Sequence, residues 1–316
     1  MSALSRRKAA IVLGPLLVAC GAAKPAPPTP SAPPPAAPLA SVAPSAPSAT
    51  PIAQPTVDPG TPCGGLGCRA FATPEAAFNK ILEARPKVLA IGEAHAQKGS
   101  EGIASSTRRF TESFLPLLRD KAAALVLELW VQNGSCGKVE KQVAEQQKPV
   151  TASQSMGNQN EFMELGRRAK SLGIAPQALL PSCEQYDKIA GSGGTDIAEM
   201  LRMIANTTLS DVKKLLESKE LPAERLILAY GGAMHNDIVP RAGREDWSFG
   251  PALSQLIHER YVELDLIVPE YVKDTEVWQS FPWFSHFDRE HHGDRTLLFN
   301  PYPHSYVLIF PKTKQQ

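Results

Sequence analysis

The clearest pattern in the chain is a set of short apolar runs, each of strand length and each stopping at a glycine or a carboxylate. Val88-Leu89-Ala90-Ile91 has no polar position and ends in Gly92-Glu93-Ala94-His95. Ala124-Leu125-Val126-Leu127 runs into Glu128. Leu226-Ile227-Leu228-Ala229-Tyr230 ends in Gly231-Gly232, and His235 follows. Unbroken apolar runs of this length predict strands buried on both faces, as in a parallel sheet. Gly92 allows a sharp turn where the first of them ends.

Between these runs the apolar period lengthens to that of a helix. Thr73-Pro74-Glu75 has the cap, the first-turn proline and the first-turn acid of a helix start, with Ala77, Phe78, Ile81 and Leu82 on one face. Phe110, Phe114, Leu117 and Leu118 mark a second helix, which Pro116 kinks or ends early. Residues 158–172 predict a helix with Gly173 as its C-cap, and a short strand follows over 174–180. A helical pattern starts at Gly193-Gly194-Thr195-Asp196, and a separate helix is expected from Leu209 to Lys219 with Ser210 as cap. One more helix runs through Leu253, Leu256 and Ile257. Residues 261–268 alternate as a strand does, and His304–Phe310 is the last strand.

Alternating strands and helices predict an α/β fold: a central, mostly parallel sheet flanked by helices. The three motif strands belong near its centre, and later strands are expected antiparallel at an edge. The helices between the second and third motif strands form an insertion, placed to be the wall or lid of a pocket.

Composition divides the chain. Arg6, Arg7 and Lys8 precede an apolar stretch, Ala9 to Ala19, that is short for a bilayer span. Leu17-Val18-Ala19-Cys20-Gly21 has the form of a lipobox, so residues 1–20 read as a lipoprotein signal with Cys20 as the lipid-bearing residue. No aspartate follows Cys20, which by resemblance to Gram-negative sorting rules favours the outer membrane. Residues 21–62 are rich in Pro, Ala, Ser and Thr and cannot bury enough apolar area to offset ordering. They read as a disordered tether reaching on the order of 100 Å. Residues 63–316 are long enough for one α/β domain outside the cytoplasm.

Formal net charge is +1, and no basic stripe interleaved with aromatics argues for nucleic acid. Four cysteines remain besides Cys20. In an oxidising compartment they predict bridges Cys63–Cys68 and Cys136–Cys183, with a four-cysteine zinc site as the alternative.

The chemistry gathers at the strand ends. Parallel strands present like ends on one rim, where α/β sheets bind ligands. Glu93, His95, Glu128 and His235 are therefore the candidate site. As a first assignment, His95 with Glu93 is the general base and His235 the proton donor or oxyanion partner, with Glu128 holding a histidine. The same four residues suit Zn²⁺ or Mn²⁺ if the chemistry is metal-dependent. Neither Gly-x-Ser-x-Gly nor His-Glu-x-x-His occurs, so serine-hydrolase and zincin readings lose their usual support. Arg108 and Arg109 are candidates to face Glu93 or a substrate anion. His286, Asp288, His291, His292 and Asp294 form a polar cluster that is either a surface metal site or a solvated loop.

The Gly-Glu-x-His turn, the strand-end glutamate and the late Gly-Gly-x-x-His resemble the superfamily joining ChaN-type haem-uptake lipoproteins, Tiki/TraB metalloproteases and erythromycin esterases. The likeness spans roughly residues 70 to 311, without the Gly-Met-Glu version of the second motif. It implies a ChaN- or erythromycin-esterase-like sheet and one of two functions. The first is hydrolysis of an ester or amide, in a small molecule or a peptide. The second is non-enzymatic haem binding in iron uptake, with Tyr271, Tyr302 and Tyr306 as possible haem ligands.

Overall fold

A computed structural model describes residues 58–131, 134–191, 196–290 and 293–314. The signal segment with Cys20, most of the tether, Gly193, Gly194, Thr195, His291 and His292 lie outside the described residues. Nine strands form one mixed sheet: β1 Thr61–Pro62, β2 Arg69–Phe71, β3 Val88–Glu93, β4 Ala122–Trp130, β5 Ala175–Leu179, β6 Leu226–Gly232, β7 Tyr261–Ile267, β8 Thr296–Tyr302 and β9 Ser305–Ile309. Their order is β1-β2-β8-β9-β7-β3-β6-β4-β5. Every pairing from β9 through β7, β3, β6 and β4 to β5 is parallel. Strands β8, β2 and β1 continue the sheet antiparallel at one edge. Thr61 and Pro62, which composition assigns to the tether, are already paired with Ala70 and Arg69.

The described helices are α1 Pro74–Leu82, α2 Ser106–Arg109, α3 Lys138–Thr151, α4 Asn158–Ser171, α5 Cys183–Gly191, α6 Ile197–Glu217, α7 Gly250–Ile257 and α8 Glu276–Gln279. Thr73 caps α1 as its sequence requires, accepting from the Ala76 amide at 3.1 Å. Gly173 follows α4 at φ +77°, a backbone conformation that glycine adopts without penalty. After α2 the chain winds as a π segment over Phe110–Phe114 and a 3-10 segment over Leu115–Leu118, so the helix loosens just ahead of Pro116.

Two expectations change. The helices expected on either side of residue 208 are one continuous helix, α6. No glycine or proline interrupts it, and the polar dip in the pattern is absorbed: Thr207 Oγ1 accepts from Gln185 at 3.0 Å and contacts Met203. The alternating run at 261–268 is a central strand, β7, parallel to β3 and buried along its whole length. Its acids, Glu263 and Asp265, therefore face the interior.

The sheet carries apolar layers on both faces. One face packs Leu89, Ile91, Leu228 and Leu264 under α1, the π segment and α4. The other packs Val88, Ala90, Ile227 and Ala229 under α5, α6 and α7. Each fully buried Val, Leu or Ile side chain among them contributes about 1.5–3 kcal/mol. Disulfides join Cys63 to Cys68 and Cys136 to Cys183. The second ties the turn just before α3 to the start of α5 across a separation of 47 residues, worth roughly 3–4 kcal/mol on the chain-entropy account. With all four sulfurs bridged, the zinc alternative falls. No helix among the described residues is long and apolar enough to cross a membrane.

Candidate functional site

Strands β3, β4 and β6 are adjacent and parallel, so their carboxyl ends share one rim. Glu93 closes β3, Glu128 lies near the end of β4, and His95 and His235 follow β3 and β6. Glycine makes the rim possible. A side chain on Gly231 would collide with the Glu128 carboxylate, so only glycine lets Glu128 fold back across β6. Gly92 is equally constrained: a Cβ there would stand 2.6 Å from the Ala233 Cα, the Asn236 Oδ1 and the Asp265 Oδ1. The register of β4 against β5 also shifts between Leu127 and Trp130, where Glu128 sits, and such irregularities re-aim side chains.

The four predicted residues stand together. Glu93 is 4 % exposed, and its Oε2 accepts from Thr107 Oγ1 at 2.6 Å and from the Tyr230 hydroxyl at 2.9 Å. Its Oε1 meets His95 Nδ1 at 2.9 Å. A carboxylate only accepts, so Nδ1 carries a proton and His95 turns Nε2 toward Glu128 Oε1, 4.0 Å away. On the other side His235 Nε2 lies 3.8 Å from the same Glu128 oxygen. His235 Nδ1 is 2.7 Å from the Trp247 carbonyl. A carbonyl also only accepts, so Nδ1 carries a proton and Nε2 is the His235 nitrogen turned to the site. Glu128 Oε2 is held by the Gly232 amide at 2.6 Å. The ring of Phe162 on α4 stands edge-on to His95, with centroids 5.9 Å apart.

These contacts set the charge on His95. Burial alone would favour the neutral ring, but the hydrogen bond to Glu93 and the charges of Glu93 and Glu128 outweigh it and raise the pKa to about 9. At neutral pH His95 is an imidazolium with one N–H bound by Glu93 and the other facing the site. Burial, then the charge of Glu93, pushes Tyr230 well above the usual phenol range, so its hydroxyl stays a donor.

The donor set of His95, Glu128 and His235 is chemically suited to Zn²⁺ or Mn²⁺. The Nδ1 atoms of both histidines are taken by Glu93 and the Trp247 carbonyl, which leaves each Nε2 for a metal. One feature opposes that use in this geometry. The three donor atoms are not gathered within 4.8 Å of one another, whereas carboxylate oxygens of Asp237, Glu263 and Asp265 are.

That acidic group was missed because alternation along β7 reads as a solvent-facing strand. Glu263 accepts from the Ile238 amide at 2.6 Å and from Ser305 Oγ at 3.0 Å, and Asp265 Oδ1 accepts from Asn236 Nδ2 at 3.1 Å. The group thus fastens the loop after β6, which carries His235, onto β7. Thr107, Tyr230 and Asn236 were also missed. Only Tyr230 had a signal, as the residue just before the Gly-Gly pair.

Other candidates lie elsewhere. Arg108 pairs with Glu112, and Arg109 reaches the Ala104 and Pro311 carbonyls and covers Phe310, so neither bonds Glu93. Tyr271 is buried, Tyr306 packs partly buried against the core, Tyr302 is exposed, and none is bonded to the four residues. Among the described residues, His286, Asp288 and Asp294 do not gather their donor atoms into one group. A cleft of about 600 Å³ opens beside Ala96, one residue past His95, lined also by Ser105, Asn158 and Glu161.

No protein-family model matches the chain, and no curated protein matches it. Among solved structures, the type III effector HopBA1 is similar over 78 % of this chain and 98 % of its own, at a TM-score of 0.39 and 11 % identity. A likeness at that level is too distant to bear on family or activity.

Proposed function

We propose that the chain is a hydrolase of an ester or amide, presented on a membrane by the lipid on Cys20, and that it works by paired histidines without a bound metal. The observation that carries the reading is the pairing of two unlike histidines across one carboxylate oxygen: His95 is held at Nδ1 by the Glu93 carboxylate and His235 at Nδ1 by the Trp247 carbonyl, with both Nε2 atoms turned to Glu128. This division reverses the first assignment of roles. His235 Nε2 takes a proton from water as the water oxygen bonds to the substrate carbonyl carbon. His95 Nε2 gives its proton to the departing oxygen or nitrogen as the carbon–heteroatom bond breaks. Glu128 steadies His235 as it becomes charged, and Glu93 fixes the ring of His95. Water or Glu128 then returns the proton from His235 to His95. The cleft beside Ala96 has the volume of a small-molecule or side-chain site.

The test uses the full chain against p-nitrophenyl esters and anilides. His235→Ala and His95→Ala are each expected to lower kcat by about 10²–10⁴-fold. Turnover should persist in EDTA and fall as pH rises through about 9, where His95 loses its proton. Chelator-sensitive turnover would overturn the metal-free route. Stoichiometric haemin binding with a Soret band, and no turnover, would overturn the hydrolase reading in favour of haem carriage.

A further inference from the structure

Asn236, the residue after His235, is 2 % exposed, and its Oδ1 has no hydrogen-bond partner among the described residues. The orientation of its amide is set by chemistry. Nδ2 faces Asp265 Oδ1 at 3.1 Å and the Ala90 carbonyl at 3.5 Å, and a carbonyl cannot donate. The oxygen therefore lies over Gly92, 2.6 Å from the point a Cβ would occupy. Leaving a buried carbonyl oxygen unsatisfied forfeits its hydration, so such atoms in folded proteins nearly always have a partner.

A small cavity adjoins this residue. Its volume is about 10 Å³, and Asn236, His235, Glu128, Gly232 and Thr208 are among the residues that line it. That is about the space one water needs, and a buried water needs two to four polar partners. Asn236 Oδ1 and the Glu128 carboxylate accept, His235 Nε2 is the ring nitrogen not taken by the Trp247 carbonyl, and a water has two hydrogens to give. The cavity chemistry is thus that of a site for a hydrogen-donating water beside His235 and Glu128.

We infer that this cavity binds one water between Asn236 Oδ1 and His235, and that Asn236 is a positioning residue that aims this water's oxygen at the substrate. One O–H is given to Asn236 Oδ1 and the other to His235 Nε2, which leaves an oxygen lone pair for the carbonyl carbon. In the step itself the O–H facing His235 breaks, its proton goes to Nε2, and the O–C bond forms. The nucleophilic role rests on the hydrolase reading, whereas occupancy of the cavity does not.

Two measurements separate the two. A crystal structure of the full chain at about 1.5 Å should show one water within hydrogen-bond distance of Asn236 Oδ1 and of His235 Nε2 or Glu128. A dry cavity, or a rotated amide bonded elsewhere, overturns the inference even if esters are hydrolysed. On p-nitrophenyl acetate, Asn236→Ala should lower kcat at least tenfold and change KM less than twofold, and Asn236→Ser, which keeps an acceptor oxygen, should recover part of the loss. An unchanged kcat in Asn236→Ala with the water present in wild type would make the water structural and overturn the positioning role. If Asn236→Ala does not fold, Asn236→Thr, which keeps an acceptor oxygen, against the isosteric Asn236→Val, which does not, reads the same kcat-to-KM split.

Discussion

Glu93, His95, Glu128 and His235 alternate acid with base, whereas Asp237, Glu263 and Asp265 bring three acids within 4.8 Å of one another. The two groups are neighbours. Asn236 touches the acidic one through its nitrogen, and His235 beside it belongs to the other. Both groups shift proton affinity upward, for different reasons. On His95 the neighbouring carboxylates favour a charge against the effect of burial. On Glu263 burial comes first and the Asp237 charge adds to it, raising the pKa to about 8 against the bonds from Ile238 and Ser305. Asp265 is pushed well above the usual carboxylate range by burial and then by the charges of Glu263 and Asp237. Asp237 rises to about 6 through burial, held back by Arg241 and Arg244. A mixed group stabilises a charged proton donor, whereas an all-acid group stabilises neutral carboxyls that can hold a loop. On the proposed reading the first does the chemistry, and the second fastens the loop that carries His235.

The pH dependence of stability should resolve the two. His95 has a folded pKa raised from 6.5 to about 9. Its contribution is fully present below about pH 6.5 and is lost as pH rises through about 9, at most roughly 3 kcal/mol. Glu263 is also raised, from 4.5 to about 8, so its contribution is present below about pH 4.5 and is lost as pH rises through about 8. Unfolding titrations from pH 4 to 10 should therefore show stability falling over two overlapping windows. Glu93→Gln should flatten the upper window and leave the lower one, and Glu263→Gln should do the reverse. If either variant flattens both, the groups titrate as one and the contrast fails.

Gly92→Ala should damage both groups together. The added methyl meets backbone at Ala233 as well as Asn236 and Asp265, so relief requires the chain to move. A loss of about 1–3 kcal/mol in denaturant unfolding is expected, with turnover falling as well. A stable variant with full activity would show that the two groups do not depend on this close approach.

Tyr230→Phe should act on one group only. It removes one of the two donors to Glu93 Oε2 and leaves Thr107. The expected cost is about 1 kcal/mol, together with a small displacement of the alkaline limb of activity and no change in the Glu263 window. A change in that lower window would mean Tyr230 supports the acidic group as well.

Much of this molecule could be read in one dimension. The apolar runs around Leu89, Leu125 and Ile227 specified buried strands because nothing but a sheet interior accepts an unbroken apolar segment of that length. Their glycine and carboxylate endings located the rim, since parallel strands place like ends together. Thr73, Pro74 and Gly173 marked helix boundaries through backbone chemistry that acts locally. The cysteine pairing followed from spacing and compartment. What local pattern could not carry was decided by neighbours distant in the chain. Ser210 looks like a cap but lies within α6, because Gln185 and Met203 satisfy Thr207 from inside the packing. Glu263 and Asp265 look solvated, and only the placement of β7 between β3 and β9 buries them. The roles of the two histidines were undetermined for the same reason. Residue type makes each a possible acid or base, and it takes Glu93 against one ring and the Trp247 carbonyl against the other to make them differ.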